Sequence, residues 1–118
     1  MPKPKKEPDP QSFLPLTPVV FDILLSLVEE ERHGYAMMQE VGGRLLPGTL
    51  YRALSRLLES GLVEASDQRP DPELDDERRR YYRLTDLGRR VIAAEAQRLA
   101  EQVRAARAKK LIPSTKRV

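Results

Sequence analysis

Apolar residues recur at helical spacing along most of this chain, and one stretch organises the rest. Between Pro47 and Gly61 the apolar positions are Leu50, Ala53, Leu54, Leu57 and Leu58. They recur at i, i+3, i+4, i+7 and i+8, which makes one stripe on a helix. Pro47 suits the first helical position, where its missing N–H has no partner to lose. Gly61 suits the end, where a residue of positive φ is often required. At ~100° per residue, Thr49, Arg52, Ser55, Arg56 and Glu59 fall on the opposite face and Tyr51 on the border. A buried stripe therefore backs a face of hydroxyls and guanidiniums, which can donate to phosphates and base edges. An ordinary amphipathic surface helix has the same pattern, so its neighbours must decide.

Upstream, Thr17-Pro18 reads as an N-cap followed by the first helical residue. Val20, Ile23, Leu24, Leu27 and Val28 then predict a core helix running to about Glu30. Gly34 begins a shorter helix through about Val41, with Tyr35, Met38 and Val41 expected on its inner side, and Gly42-Gly43 stops it. Met37 and Met38 read as core filler. Two helices joined by a glycine-containing turn are the helix-turn-helix signature, and the helix after Pro47 is the reader.

Downstream, Leu62 to Ser66 is a short, partly alternating strand, residues 67–77 a polar acidic loop, and Arg78 to Leu84 a second strand. Tyr82 and Leu84 should face the core. The hairpin carries Arg78, Arg79 and Arg80 at the start of its second strand. Such a wing can rest on phosphates or enter a minor groove. The alternative is a solvated hairpin whose acids offset its arginines. Thr85 caps a final helix from about Asp86 to Lys110. Along it Ile92, Ala96, Leu99, Val103 and Ala106 step by 4, 3, 4 and 3, a coiled-coil-like seam that points to a homodimer.

Composition narrows the function. The 118 residues suffice for one modest core. Apolar content of 40% with 33% charged residues is globular, and the net charge of +3 is a mild bias towards an acidic partner. Cysteine is absent, so there is neither a disulfide framework nor thiolate chemistry. His33 is the single histidine, which excludes paired-histidine chemistry; it reads as a capping or packing residue before a helix. The acids Asp71, Glu73, Asp75, Asp76 and Glu77 lack the turn glycine and closing glutamate of a calcium loop. No nucleophile–base pair or phosphate-binding glycine loop is found, so no enzyme, cofactor or metal is expected. No apolar run approaches the ~20 residues that span a bilayer. The N-terminus has no secretory signal, and a cytoplasmic protein is expected.

Taken together, His33-Gly34-Tyr35-Ala36, Pro47 to Leu54, and Arg79-Arg80-Tyr81-Tyr82-Arg83-Leu84-Thr85 with Leu87-Gly88 resemble the PadR family of bacterial transcriptional regulators. The resemblance covers roughly residues 16–110. It implies a winged helix-turn-helix domain with a C-terminal helix that dimerises. It further implies operator binding, usually as a repressor relieved by a small molecule or other cue. Family DNA contacts carry over onto Thr49, Tyr51 and Arg52 and onto the wing near Arg78 to Arg80. The segment between Val41 and Pro47 is shorter than the family pattern. Leu46 also stands where a small or capping residue is usual.

The expected architecture is mainly α with a small β-hairpin. Residues 1–15 form a flexible basic, proline-rich arm, 16–85 the winged helix-turn-helix domain, 86–111 the dimerisation helix and 112–118 a tail. Arm residues Lys3, Lys5 and Lys6 serve solubility or follow a phosphate backbone. The expected DNA-binding residues are Thr49, Tyr51, Arg52, Ser55, Arg56, Arg78, Arg79 and Arg80. The expected dimer interface is Ile92, Ala96, Leu99, Val103 and Ala106. The expected function is a homodimeric repressor on double-stranded DNA, reading a pseudo-palindrome. The short C-terminal region leaves little protein for an effector pocket, so any small-molecule effector is expected at the dimer interface or between it and the winged domain. The competing expectation is a winged-helix protein-interaction module without DNA binding.

Overall fold

Thr17 accepts the Val20 N–H through its hydroxyl at 3.2 Å and Pro18 takes the first helical position, so α1 spans Pro18–Ser26. This structure is a computed structural model that describes residues 8–41, 45–66 and 80–113. After α1 come β1 (Arg32–His33), α2 (Gly34–Glu40), α3 (Pro47–Ser60), β2 (Val63–Ala65), β3 (Tyr81–Leu84) and α4 (Asp86–Ala108). The three strands form an antiparallel sheet in the order β1-β3-β2. Val63 pairs with Leu84 and Ala65 with Tyr82, while Arg32 pairs with Tyr82 on the other side.

The core lies between α1, α3, the sheet and the start of α4. Ile23, Leu24, Met37, Leu50, Leu54, Val63 and Val91 are fully buried there, and Tyr82 and Leu84 face it as their alternation predicts. Gly61 ends α3 at φ 81, the left-handed conformation that glycine adopts without a Cβ penalty. Thr85 caps α4 by accepting the Gly88 N–H at 2.9 Å. The far end of α4 closes with Lys110 at φ 63, Lys110 N–H bonded to the Arg107 carbonyl and Leu111 N–H to that of Ala106. That is a Schellman closure made with lysine in place of glycine.

Four features depart from the pattern-based reading. First, α1 stops at Ser26, short of Glu30. Arg32 Nε donates to the Ser26 carbonyl at 2.6 Å, taking the acceptor that the Glu30 N–H would use in a continued helix. Leu27 and Val28 still reach the core from the turn. Second, the inner face of α2 is Gly34, Met37, Met38 and Val41, not Tyr35, which is 60% exposed. Gly34 occupies the inward position, and a Cβ there would lie 2.5 Å from the Tyr51 hydroxyl.

Third, β1 is a two-residue strand that no alternation could announce. Fourth, Pro10–Phe13 forms a 3-10 turn capped by Asp9, and Phe13, Leu14 and Leu16 pack against the core. Their anchor is Glu95, whose Oε2 accepts the Leu16 N–H at 2.8 Å. The segment expected to be a loose arm is therefore docked from Pro10 onward.

Candidate nucleic-acid interface

Leu46 precedes α3 and offers no side-chain acceptor, as its hydrocarbon side chain requires. The first-turn amides therefore receive no side-chain cap from Leu46, and they sit at the positive end of the helix dipole. Anions bind readily at such a place. One turn on, Arg52 and Thr49 share a long contact, Nη2 to Oγ1 at 3.5 Å. Arg52, Ser55 and Arg56 are exposed on the outer face, and Thr49 is half-buried at its edge. Tyr51 is half-buried, with its ring laid against Gly34, so it joins α3 to α2.

Arginine partners divide the basic residues into two groups. Arg83 on β3 bonds Glu64, Nε to Oε1 at 2.8 Å, and lies 3.6 Å from Glu31. Those contacts, Glu64 foremost, hold its guanidinium above its ordinary pKa. Arg32 lies 3.5 Å from Glu30 and 3.8 Å from Glu40. Arg52, Arg56 and the exposed Arg80 have no carboxylate partner among the described residues. These three sit on the outer face of α3 and at the start of the wing strand; Arg107, Lys109 and Lys110 at the end of α4 likewise have no carboxylate partner among the described residues. Arg78 and Arg79 lie outside the described residues, as does the acidic run from Asp71 to Glu77.

His33 caps α2, its Nδ1 accepting the Ala36 N–H at 3.1 Å. Its ring meets Tyr81 edge-on with centroids 5.3 Å apart, which ties the helix start to the wing strand. On α4 the seam divides. Ile92 is 5% exposed and belongs to the chain's own core, while Leu99 and Ala106 are half-buried, Ala96 is exposed and Val103 is 39% exposed.

Sequence reading missed Glu95. It is 1% exposed and held by Arg98 through contacts of 2.5 and 3.0 Å. The Arg98 hydrogen bond, with the Leu16 amide assisting, holds its carboxyl below the usual range despite burial. The available signal was a glutamate four residues after Val91, on the buried face. Among the described residues no group of histidine or acids could hold a metal, and no helix is long and apolar enough to cross a membrane.

Helix α3 packed after the shorter α2, a three-stranded antiparallel sheet and a long terminal helix define a winged helix-turn-helix protein. The profile of the transcriptional regulator PadR-like family matches residues 23–94. The chain is 39% identical over 85 residues to the transcriptional regulator Rv3488 of Mycobacterium tuberculosis, covering 70% of this chain and 76% of that one. Its fold is similar to that of a PadR family transcription regulator from Clostridium difficile, with a TM-score of 0.64 at 24% identity over 76% of this chain and 95% of that one. ZitR of Lactococcus lactis has a similar fold, with a TM-score of 0.66 at 20% identity over 89% of this chain and 67% of that one. The chain belongs to the PadR-like family of transcriptional regulators, a family of DNA-directed regulators and not of enzymes.

Proposed function

We propose that this regulator is a cytoplasmic repressor that grips a pseudo-palindromic operator as a homodimer. In this reading α3 enters the major groove, with Thr49, Arg52, Ser55 and Arg56 towards bases and phosphates. Arg80, with Arg78 and Arg79, holds the flanking backbone. The observation that carries it is the partner pattern among the described residues: Arg32 and Arg83 are neutralised by glutamates, and Arg52, Arg56 and Arg80 have no such partner there. Guanidiniums without a carboxylate partner among the described residues, beside a helix start that Leu46 does not cap, match a row of phosphates. The exposed Val103 and half-buried Leu99 of α4 support a partner helix on that face.

The test is footprinting on the DNA upstream of the regulator's own coding region, followed by a salt titration. A protected palindrome and a log–log salt slope of several units support the reading. The exposure of Leu46, 71% beside the start of α3, favours a second reading, a winged helix that docks protein. Absence of protection and a flat salt response would select it.

A further inference from the structure

Between the first turn of α1, the segment before it and the outer side of α3 lies a cavity of about 520 Å³. That volume is within the range of small-molecule sites. Phe13, Leu16 and Val20 give it an apolar wall, and Arg52 and Arg56 line the other side. Among the described residues its lining contains no acid. Neither guanidinium has a carboxylate partner among the described residues, so two positive charges border an apolar surface. The first residues of α1 line the cavity too, and the positive end of that helix's dipole adds to the same field.

The geometry points to a binding site for an amphipathic monoanion, an apolar body with one carboxylate. The body removes apolar wall from water, and the carboxylate takes charge-assisted hydrogen bonds from Arg52 and Arg56. An apolar amine meets like charge here. A neutral alcohol gains the wall but not the ion pairs. A small inorganic anion gains the ion pairs but not the wall. Both features are needed, which sets the ligand class.

The consequence rests on the proposed function above. Arg52 and Arg56 are the groups assigned to DNA, so a bound carboxylate and a DNA phosphate claim the same donors. Ligand and operator then exclude each other, and each weakens the other by the same factor. Relief of repression needs no long-range conformational change in this arrangement.

The test uses the full chain without DNA, titrated calorimetrically with decanoate below its micellar range, with 1-decanol and decylamine as controls. Decanoate should bind saturably and about tenfold or more tightly than decanol, the worth of charge-assisted hydrogen bonds. Decylamine should not bind. Arg56→Glu, an exposed change that leaves the core alone, should remove decanoate binding. Ala53→Phe should fill the cavity and remove it while keeping both arginines. Equal binding of acid and amine, or decanoate binding that survives Arg56→Glu, overturns the site. No decanoate binding also overturns it, and a change in sedimentation on Ala53→Phe then makes the groove a seat for a second copy. Failure of the DNA reading is separate. If decanoate binds as expected but does not displace footprinted DNA, the ligand site stands and the assignment of Arg52 and Arg56 to DNA falls.

Discussion

Glu95 and Leu16, 79 positions apart in the chain, are joined by one hydrogen bond of 2.8 Å between a carboxylate that is 1% exposed and a backbone N–H. Leu16 immediately precedes the Thr17 cap of α1. The bond therefore fixes the entry of α1 against the middle of α4. Removing the acceptor leaves a half-buried amide without a partner and frees Arg98. Glu95→Ala should lower unfolding free energy by about 1–3 kcal/mol, read from urea midpoints. It should also raise the protease sensitivity of the segment before Thr17.

The same carboxyl makes stability pH-dependent. Its folded pKa lies below the ordinary value of 4.5, chiefly through Arg98. The folded state therefore holds fewer protons than the unfolded chain in the window between the two values. The contribution is complete above the ordinary value and is lost as pH falls through it to the folded value. Urea midpoints of wild type should fall across that window more steeply than those of Glu95→Gln, and the two curves should converge at the acid end. Parallel curves would mean that folding leaves the Glu95 pKa unchanged.

Arg52→Ala should reduce operator affinity by about 1–3 kcal/mol if Arg52 reads a base edge, and should relax specificity at one base pair. A phosphate contact instead predicts equal weakening on all sequences and a salt slope flatter by about one. Binding measured at several salt concentrations separates the two. Unchanged affinity removes α3 from the interface.

Two glycines predict graded damage. A Cβ on Gly88 meets the Leu62 backbone carbonyl, whereas one on Gly34 meets the end of the Tyr51 side chain. Backbone cannot step aside as a side chain can, so Gly88→Ala should be the costlier change. Both fall on the scale of overpacking, about 1–3 kcal/mol. Tyr51→Phe should recover part of the Gly34→Ala loss, because the nearest atom is the hydroxyl oxygen. Thermal melts of the single and double variants measure this.

On α4, Ile92 and Leu99 should fail differently. Ile92→Ala opens the chain's own core and should cost about 2–5 kcal/mol with association unchanged. Leu99→Asp places a charge on each side of the proposed dimer and should shift sedimentation towards the monomer. A monomeric wild type at micromolar concentration would make the outer face of α4 simply solvated.

How legible the molecule is from sequence depends on how local each cause is. The organising helix α3 is legible because stripe, proline and glycine all lie within it. The cap and start of α4 are local in the same way. By contrast, the end of α1 depends on Arg32, a residue outside the helix, and the inner face of α2 on Gly34, which carries no hydropathy. Glu95 falls on the buried face by its spacing from Val91, but the reason for a carboxylate there is not visible until the Leu16 amide is seen beside it. Ile92 fits two periodicities, one for the core and one for a partner, and only the fold shows that the core takes it. At the candidate site the exposed face of α3 is evident from spacing. The difference between free and neutralised arginines is not, because Glu31, Glu64 and Arg83 come from three separate segments.

Thr85 does more than begin α4. Its hydroxyl accepts the Gly88 N–H and donates to the Gly61 carbonyl at 2.5 Å, and Gly61 is the residue that ends α3. One oxygen atom thus joins the last turn of one helix to the first turn of the other. Helix α4 has 23 residues and is about 35 Å long. A tilt of about 5° at that joint carries its far end by about 3 Å, close to the rise of one base-pair step. In the proposed dimer this joint is a protractor that sets the distance between the two reader helices. A variant such as Thr85→Val, still folded and still dimeric, would then prefer an operator whose half-sites stand a different number of base pairs apart.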